Sequence, residues 1–276
     1  MLTLRSEHKC FSGSLRFYTH ESKSCNGPMN FSIFLPSKAH KQECPAIYFL
    51  AGLGSSDENF MMKAGAERVA EELGIIIVAP DTSPRNRNID RAQEHWTFGE
   101  GASFYVNATQ SPWSSSYNMY DYVAYELPAL VNKNFSVSKN SIMGHSMGGH
   151  GALVVGLRNP DIFSSLSAFA PICAPTRSPW GQHAFGLYLG DQSSLWAQYD
   201  TVEILKKTRQ AQPTLIDQGG SDQFLIEQLR LDDLALVAGE NKLPIEIRRH
   251  AGYDHGYYFI STFIESHLRF HYAYIS

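Results

Sequence analysis

The stretch NSIMGHSMGGHGALVVGLR, residues 140–158, decides the fold. Residues 140–145 have the pattern of a short buried strand, and residues 147–158 have the pattern of a helix. Between them, Ser146 stands in a Gly-x-Ser-x-Gly motif with Gly144 and Gly148. Glycines suit such a turn because a Cβ atom would clash where the strand and the helix approach each other. The stretch therefore predicts a nucleophile elbow, a sharp strand-to-helix turn that raises Ser146 above a sheet.

Strands and helices alternate on both sides of this elbow. The predicted strands are 15–20, 29–35, 45–51, 75–79, 140–145, 166–170, 213–218 and 243–250. The predicted helices are 57–73, 117–132, 147–158, 201–209, 222–238 and 256–269. Because helices or long crossovers separate the last six strands, we expect an eight-stranded, mostly parallel sheet with helices on both faces. The prediction is one α/β domain over residues 1–276, with its site in the loops after the strands.

A serine hydroxyl needs an adjacent base, and histidine titrates in the neutral range. In elbow folds the chain order is serine, acid, histidine. The histidines after the motif are His150, His183, His250, His255, His267 and His271. We favour His255 because GYDHGYY, residues 252–258, forms a short loop between the last predicted strand and the last helix. His250 is expected to end that strand, and His267 and His271 are expected at the surface.

The acid that orients the histidine should follow the preceding strand, in PTLIDQGGSDQF, residues 213–224. Asp222 is preferred because the flexible glycines before it would let it reach across to the histidine. Its alternative role is that of a helix N-cap. Asp217 is the second candidate, although it still lies within the predicted strand.

An oxyanion intermediate needs two backbone N–H donors. We assign one to Met147, the residue after the serine, and the other to Leu53 in the loop after the third predicted strand. The same loop reads GLGSSD and half-imitates a dinucleotide motif, but Asp57 replaces the third glycine and would repel a pyrophosphate. His145 and His150 flank the serine without a third ligand nearby, so no metal role is expected.

Several aromatic residues fall in the predicted loops. They are Trp96, Phe98, Phe104, Tyr105, Trp113 and Trp180. Most are expected to pack in the core, and one or two to line a pocket for an acyl group.

Composition excludes several classes of protein. The chain has 276 residues and a net charge of −4, and no run of Lys or Arg suggests nucleic-acid binding. No apolar run approaches the roughly 18 residues of a membrane span, and the N-terminus does not resemble a signal peptide. The four cysteines are scattered without a CxxC pair. A cytoplasmic protein with reduced thiols is therefore expected.

Long motifs across the chain resemble the S-formylglutathione hydrolase (esterase D) family of the α/β-hydrolase superfamily. They include IYFLAGLGSSDENFM (47–61), FGEGASFYVNAT (98–109), GHSMGGHGAL (144–153), LIDQGGSDQFL (215–225) and GYDHGYYFISTFI (252–264). The resemblance implies a catalytic triad of Ser146, Asp222 and His255, with Leu53 and Met147 as oxyanion donors. It also implies a homodimer that hydrolyses S-formylglutathione to glutathione and formate without a metal or organic cofactor.

Three positions depart from the family pattern. Ser55 replaces a cysteine of the oxyanion loop, Ser103 replaces a glycine and Asn107 replaces an aspartate. These changes bear on substrate preference and on sensitivity to thiol reagents. The alternatives are a general esterase for small acyl groups, an acyltransferase on the same scaffold, and an inactive fold that serves as a binding module.

Overall fold

A single sheet organises the computed structural model, which describes residues 2–90, 92 and 95–276. Its strands are β1 (Leu2–Cys10), β2 (Gly13–Ser22), β3 (Gly27–Leu35), β4 (Cys44–Leu50), β5 (Ile76–Pro80), β6 (Val137–His145), β7 (Phe163–Phe169), β8 (Thr214–Gly219) and β9 (Ile245–His250). The order across the sheet is β1-β2-β3-β5-β4-β6-β7-β8-β9. The pairings from β5 through β9 are parallel, and those that join β1, β2, β3 and β5 are antiparallel.

The prediction of a mostly parallel sheet is confirmed, but the count of eight strands is wrong for the described residues, which form nine. The strand that the sequence did not reveal is β1, which pairs with β2 along the edge of the sheet. Most of its side chains are exposed. An edge strand with few buried positions lacks the apolar pattern by which strands are recognised.

Ten α-helices connect the strands of the described chain. They are α1 (Asn59–Lys63), α2 (Glu67–Leu73), α3 (Met119–Asp121), α4 (Leu127–Asn134), α5 (Met147–Arg158), α6 (Pro179–Leu189), α7 (Ser193–Trp196), α8 (Thr201–Lys207), α9 (Leu231–Glu240) and α10 (Tyr257–Ile275). The helix predicted at 147–158 is confirmed at both ends.

Three predicted helices are interrupted in the structure. The helix expected at 57–73 divides into α1 and α2, with Gly65 between them at a φ of +66°. The helix expected at 117–132 contains a π-helical turn at Tyr122–Glu126 before α4. Pro128 follows that turn, and its missing N–H cannot continue an α-helical ladder. A second π-helical turn, Leu225–Leu229, precedes α9, so the helix expected at 222–238 starts later.

Helix α6 was not predicted, although the sequence carries its start signal. The Ser178 side chain accepts a hydrogen bond from the Gly181 N–H, and Pro179 occupies the first turn. Serine followed by proline is a common helix start because proline's missing N–H would be unpaired there in any case.

Helices α5 and α10 cover opposite faces of the sheet. Helix α5 lies against Leu166 and Ala168 of β7. Side chains of α10 bond to Ser165 and Ser167 of the same strand. Since successive side chains of a strand point to opposite faces, the two helices sandwich the sheet as expected. None of the helices in the described residues is both long and apolar enough to cross a bilayer.

Candidate active site

The elbow at Ser146 has the backbone geometry that the sequence predicts. Ser146 joins β6 to α5 with a φ of 58° and a ψ of −120°. A positive φ is strained for a residue with a side chain and is characteristic of functional sites. The surrounding strand holds it, because the Ser146 N–H donates to the Phe169 carbonyl at 2.9 Å.

Both glycines of the motif are required by contact with the neighbouring backbone. A Cβ atom at Gly148 would lie 1.9 Å from the carbonyl oxygen of Leu50, and one at Gly144 would lie 2.2 Å from the carbonyl oxygen of Gly148. Neither distance is possible for a carbon atom. The elbow can therefore close against β4 only with glycine at these two positions.

Asp222 and His255 form a hydrogen-bonded pair. His255 Nδ1 lies 2.6 Å from Asp222 Oδ2. The Asp222 side chain is fully buried and that of His255 is 14% exposed. The other carboxylate oxygen of Asp222 accepts from the Phe224 N–H at 2.8 Å. The carboxylate thus fixes which ring nitrogen of His255 faces away from it.

His255 and Ser146 line the same cavity, which has a volume of about 270 Å³. Its wall consists of Gly52, Leu53, Ser55, Trp96, His145, Ser146, Trp180, Phe224, His255 and Tyr257. The structure therefore gathers the serine, the aspartate and the histidine at the carboxyl ends of β6, β8 and β9, respectively. This arrangement can support nucleophilic attack by serine with histidine as base.

The two residues expected to supply oxyanion donors lie near Ser146. Leu53 lines the cavity, and a Cβ atom at the neighbouring Gly52 would lie 3.1 Å from Ser146 Cβ. Met147 is the first residue of α5, where N–H groups have no partner within the helix. The assignment of both donors stays a prediction.

Two of the six loop aromatics line the cavity, as expected. Trp96 and Trp180 pack edge to face with their ring centroids 4.8 Å apart. Phe224 continues the array, 4.8 Å from the ring of Trp180 and 5.0 Å from that of His255. The other four aromatics, Phe98, Phe104, Tyr105 and Trp113, are buried in the core.

His145 and His150, which flank the elbow, are buried. The ring of His145 packs on that of His255 with the centroids 4.6 Å apart. Burial, and next the charge of His255, hold the pKa of His145 well below its usual value. His150 Nε2 lies 3.0 Å from the Phe104 carbonyl oxygen, and burial lowers its pKa to about 4. Within the described residues, no group of three or more His, Cys, Asp or Glu side chains could hold a metal ion.

The expectation that His267 and His271 lie at the surface is wrong. Both are fully buried under the sheet. The Ser167 hydroxyl lies 2.8 Å from His267 Nδ1 and 2.8 Å from His271 Nε2. The helical spacing of both histidines from Ile260 and Ile264 places them on the buried face of α10, so periodicity could have shown this.

Asp217, the second candidate for the acid, has different partners. Its carboxylate receives two hydrogen bonds from Arg248, at 2.6 and 2.7 Å. His250, at the end of β9 as expected, and His267 lie 3.2 and 3.3 Å from it. The structure thus ties Asp217 to β9 and α10, whereas Asp222 is the carboxylate that contacts His255.

The three departures from the family pattern occupy different places. Ser55 lines the cavity. Ser103 is buried and donates to the Thr82 carbonyl at 2.6 Å, and Asn107 Oδ1 accepts from the Asp121 N–H at 3.0 Å. Only Ser55 therefore contacts the space where a substrate would bind.

Sequence reasoning missed three residues around the pair of Asp222 and His255. They are Gln218, Phe224 and Tyr257. Each lies within four residues of a predicted site residue, so proximity in sequence was the available signal. Their contacts depend on loop conformation, which no local pattern encodes.

Comparison with known proteins agrees with this geometry. The family model described as "Putative esterase" matches residues 22–270. The S-formylglutathione hydrolase of Rattus norvegicus is 47% identical over 275 residues, which cover 98% of each chain. The structure of an S-formylglutathione hydrolase from Agrobacterium tumefaciens is 40% identical, covers 99% of each chain and superposes with a TM-score of 0.96.

A more distant structure shows the fold alone. A fluorophosphonate-binding serine hydrolase from Staphylococcus aureus is 20% identical and covers 94% of this chain and 98% of its own, with a TM-score of 0.75. The fold, the elbow and the full-length matches agree. The chain belongs to the esterase family of the α/β-hydrolase fold that includes the S-formylglutathione hydrolases.

Proposed function

We propose that this chain is a serine thioesterase that hydrolyses S-formylglutathione to glutathione and formate, as in formaldehyde detoxification. One observation carries the catalytic part of the proposal: His255, hydrogen-bonded to Asp222, lines the same cavity as Ser146 at its strained elbow. The substrate class rests on the 47% identity to the rat S-formylglutathione hydrolase over 98% of the chain.

The reaction proceeds through a formyl-enzyme. Ser146 Oγ attacks the thioester carbonyl carbon while His255 accepts the hydroxyl proton. The N–H groups of Leu53 and Met147 stabilise the oxyanion. The C–S bond then breaks, and His255 returns the proton to the departing thiolate of glutathione. Asp222 holds the imidazole in the required tautomer and stabilises its protonated form.

Water completes the cycle. With His255 as base, a water molecule attacks the formyl carbon, the bond to Ser146 Oγ breaks, and formate leaves. Serine and histidine supply the nucleophile and the proton transfers, so this mechanism calls for no metal or organic cofactor. The cavity of about 270 Å³, walled by Trp96, Trp180 and Phe224, favours a small acyl group beside Ser146.

The deciding experiment compares substrates. We expect kcat/KM for S-formylglutathione to exceed that for a short-chain aryl ester, and to fall along a series of glutathione thioesters as the acyl group grows. A preference for the aryl ester would indicate a general esterase instead. Transfer of the acyl group to an added alcohol in preference to water would indicate an acyltransferase.

We also propose a cytoplasmic homodimer with a single domain over residues 1–276, which acts on a small molecule and not on nucleic acid or a membrane. The net charge of −4 and the four free thiols, Cys10, Cys25, Cys44 and Cys173, support this setting. Light scattering in solution should give twice the 30.9 kDa mass of the chain. The monomer mass at micromolar concentration would contradict the dimer.

A further inference from the structure

Gln218 is a buried amide beside the Asp222–His255 pair. It is the residue before the last in β8 and is 1% exposed. Because side chains alternate along a strand, it points to the face opposite that of Asp217. Its side chain therefore takes no part in the ion pair of Asp217 with Arg248 and reaches the loop that follows β8 instead.

The amide donates to the same carboxylate oxygen that binds the histidine. Gln218 Nε2 lies 3.1 Å from Asp222 Oδ2, the atom that lies 2.6 Å from His255 Nδ1. The same nitrogen also donates to the Gly219 carbonyl at 3.1 Å. With the Phe224 N–H on the other oxygen, the Asp222 carboxylate has three donors.

The orientation of the amide is fixed by these contacts. A flipped amide would bring Oε1 against two oxygen acceptors and lose both hydrogen bonds. In the present orientation, Oε1 is buried and has no hydrogen-bond partner among the described residues. A buried acceptor without a partner costs free energy. The structure thus keeps the hydrogen bond from Gln218 Nε2 to Asp222 Oδ2 although it leaves Gln218 Oε1 without a partner among the described residues.

We propose that Gln218 is a positioning residue for the proposed triad: its Nε2–H fixes Asp222 Oδ2 against His255 Nδ1 and withdraws negative charge from that oxygen. The inference rests on the proposed roles of Asp222 and His255. An ionised acceptor forms stronger hydrogen bonds than a neutral one, so the donor has a measurable effect on the carboxylate. Without it, the carboxylate is more basic and holds the protonated form of His255 more strongly.

The other groups around His255 do not mask this effect. His145, from the end of β6, packs on the ring, and burial keeps its pKa well below the usual value. Tyr257, at the start of α10, lines the cavity, and burial raises its pKa against a smaller opposing effect of Ser55. Both are uncharged around neutral pH. Of these three neighbours, Asp222 is the carboxylate that contacts the imidazole.

The test is the Gln218→Met variant of the full chain, assayed on a short-chain aryl ester from pH 5 to 9. We expect kcat/KM at neutral pH to fall by roughly 10- to 100-fold, by analogy with the loss seen when the hydrogen-bond partners that orient metal-binding side chains are removed. The loss should fall on kcat more than on KM. The acid limb of the profile should move to higher pH, because a more basic Asp222 carboxylate stabilises the protonated form of His255.

Gln212→Met is the matched control. Among the described residues, its amide donates only to backbone carbonyls, those of Gly156 at 2.7 Å and Phe163 at 3.2 Å. We expect its pH profile to overlay that of the wild type. Gln218→Leu also removes the donor at a similar side-chain volume and serves if the methionine variant does not fold. Because it leaves Asp222 Oδ2 without the amide N–H, its acid limb should also move upward.

Superimposable acid limbs for the wild type and a folded Gln218 variant would overturn the proposal. As an independent readout, the downfield proton resonance of the bond between His255 and Asp222 should move in Gln218→Met and not in Gln212→Met. An unmoved resonance would count equally against it. Failure of the wild type to hydrolyse S-formylglutathione would refute the proposed substrate, while the aryl ester assay would still decide the role of Gln218.

Discussion

Two aspartate–histidine pairs lie at the end of β8, and their surroundings are opposite. Asp217 meets His267 under the sheet, where both nitrogens of the histidine contact protein groups, Asp217 on one side and Ser167 on the other. Asp222 meets His255 above the sheet, where the histidine lines a cavity together with Ser146.

The comparison shows that residue types alone do not make a catalytic pair. A histidine acts as a base only if its second nitrogen can reach a reacting group. The ring of His267 stacks on Phe169 with the centroids 3.8 Å apart and is fully buried, which suits it to hold α10 against the sheet. We therefore assign stability to the lower pair and catalysis to the upper one, and the predictions below test that division.

The largest expected effect is on turnover in Ser146→Ala. Loss of the nucleophile should reduce kcat by at least about 10⁴-fold while the melting temperature stays close to that of the wild type. Ser167→Ala is the control from the lower pair. It leaves His267 and His271 without their shared partner, so it should lower stability by about 1–3 kcal/mol and leave kcat nearly unchanged. Near-normal hydrolysis by folded Ser146→Ala would show that Ser146 is not the nucleophile.

Asparagine substitutions of the two aspartates should separate rate from stability. Asp222→Asn should lower kcat by about 10⁴-fold, because the amide favours the wrong tautomer of His255. Asp217→Asn should lower the free energy of unfolding by about 1–3 kcal/mol, since it removes the carboxylate that pairs with the partly exposed Arg248. Kinetics and denaturant unfolding of both variants measure the two effects. A large loss of kcat in Asp217→Asn with unchanged stability would reverse our assignment.

Acid should weaken the lower pair. Burial by itself would raise the pKa of Asp217, but the contact with His267 and the hydrogen bonds from Arg248 outweigh it and hold that pKa well below its usual value. The folded-state pKa is thus depressed. The stabilisation is present above the unfolded value of about 3.9 and is lost as the pH falls through the folded one. The stability difference between wild type and Asp217→Asn should therefore shrink below about pH 4, as measured by denaturant unfolding. A difference that stays constant from pH 7 to pH 3 would contradict the ion pair of Asp217 with Arg248.

The smallest expected effect concerns thiol reagents, which should reach the cavity but not the buried cysteines. Cys25, Cys44 and Cys173 are buried, whereas Ser55 lines the cavity. A thiol-blocking reagent should inactivate the wild type slowly and Ser55→Cys rapidly, with protection by a substrate analogue. Equally rapid inactivation of the wild type would indicate another reactive thiol near the site.

Local patterns predicted much of the site. The strand, the motif and the helix at 140–158 are contiguous, so the elbow could be placed to the residue. The strand ends before Asp222 and His255 were also visible as apolar runs. Strand β1 and the burial of His267 were not predicted. Strand β1 is an exposed edge strand, and His267 is a polar residue on the buried face of a helix, so neither follows the rule that apolar residues mark the interior.

By itself, the sequence determined the α/β fold, the elbow and the short set of residues able to supply an acid and a base. These depend on interactions between neighbours in the chain, which hydrophobic periodicity and glycine positions report. Only the tertiary structure decided that Asp222 and not Asp217 meets His255, and that Gln218 donates to the same oxygen. Those contacts join residues from separate loops and strands, and their distances are set by how the whole sheet and its crossovers pack.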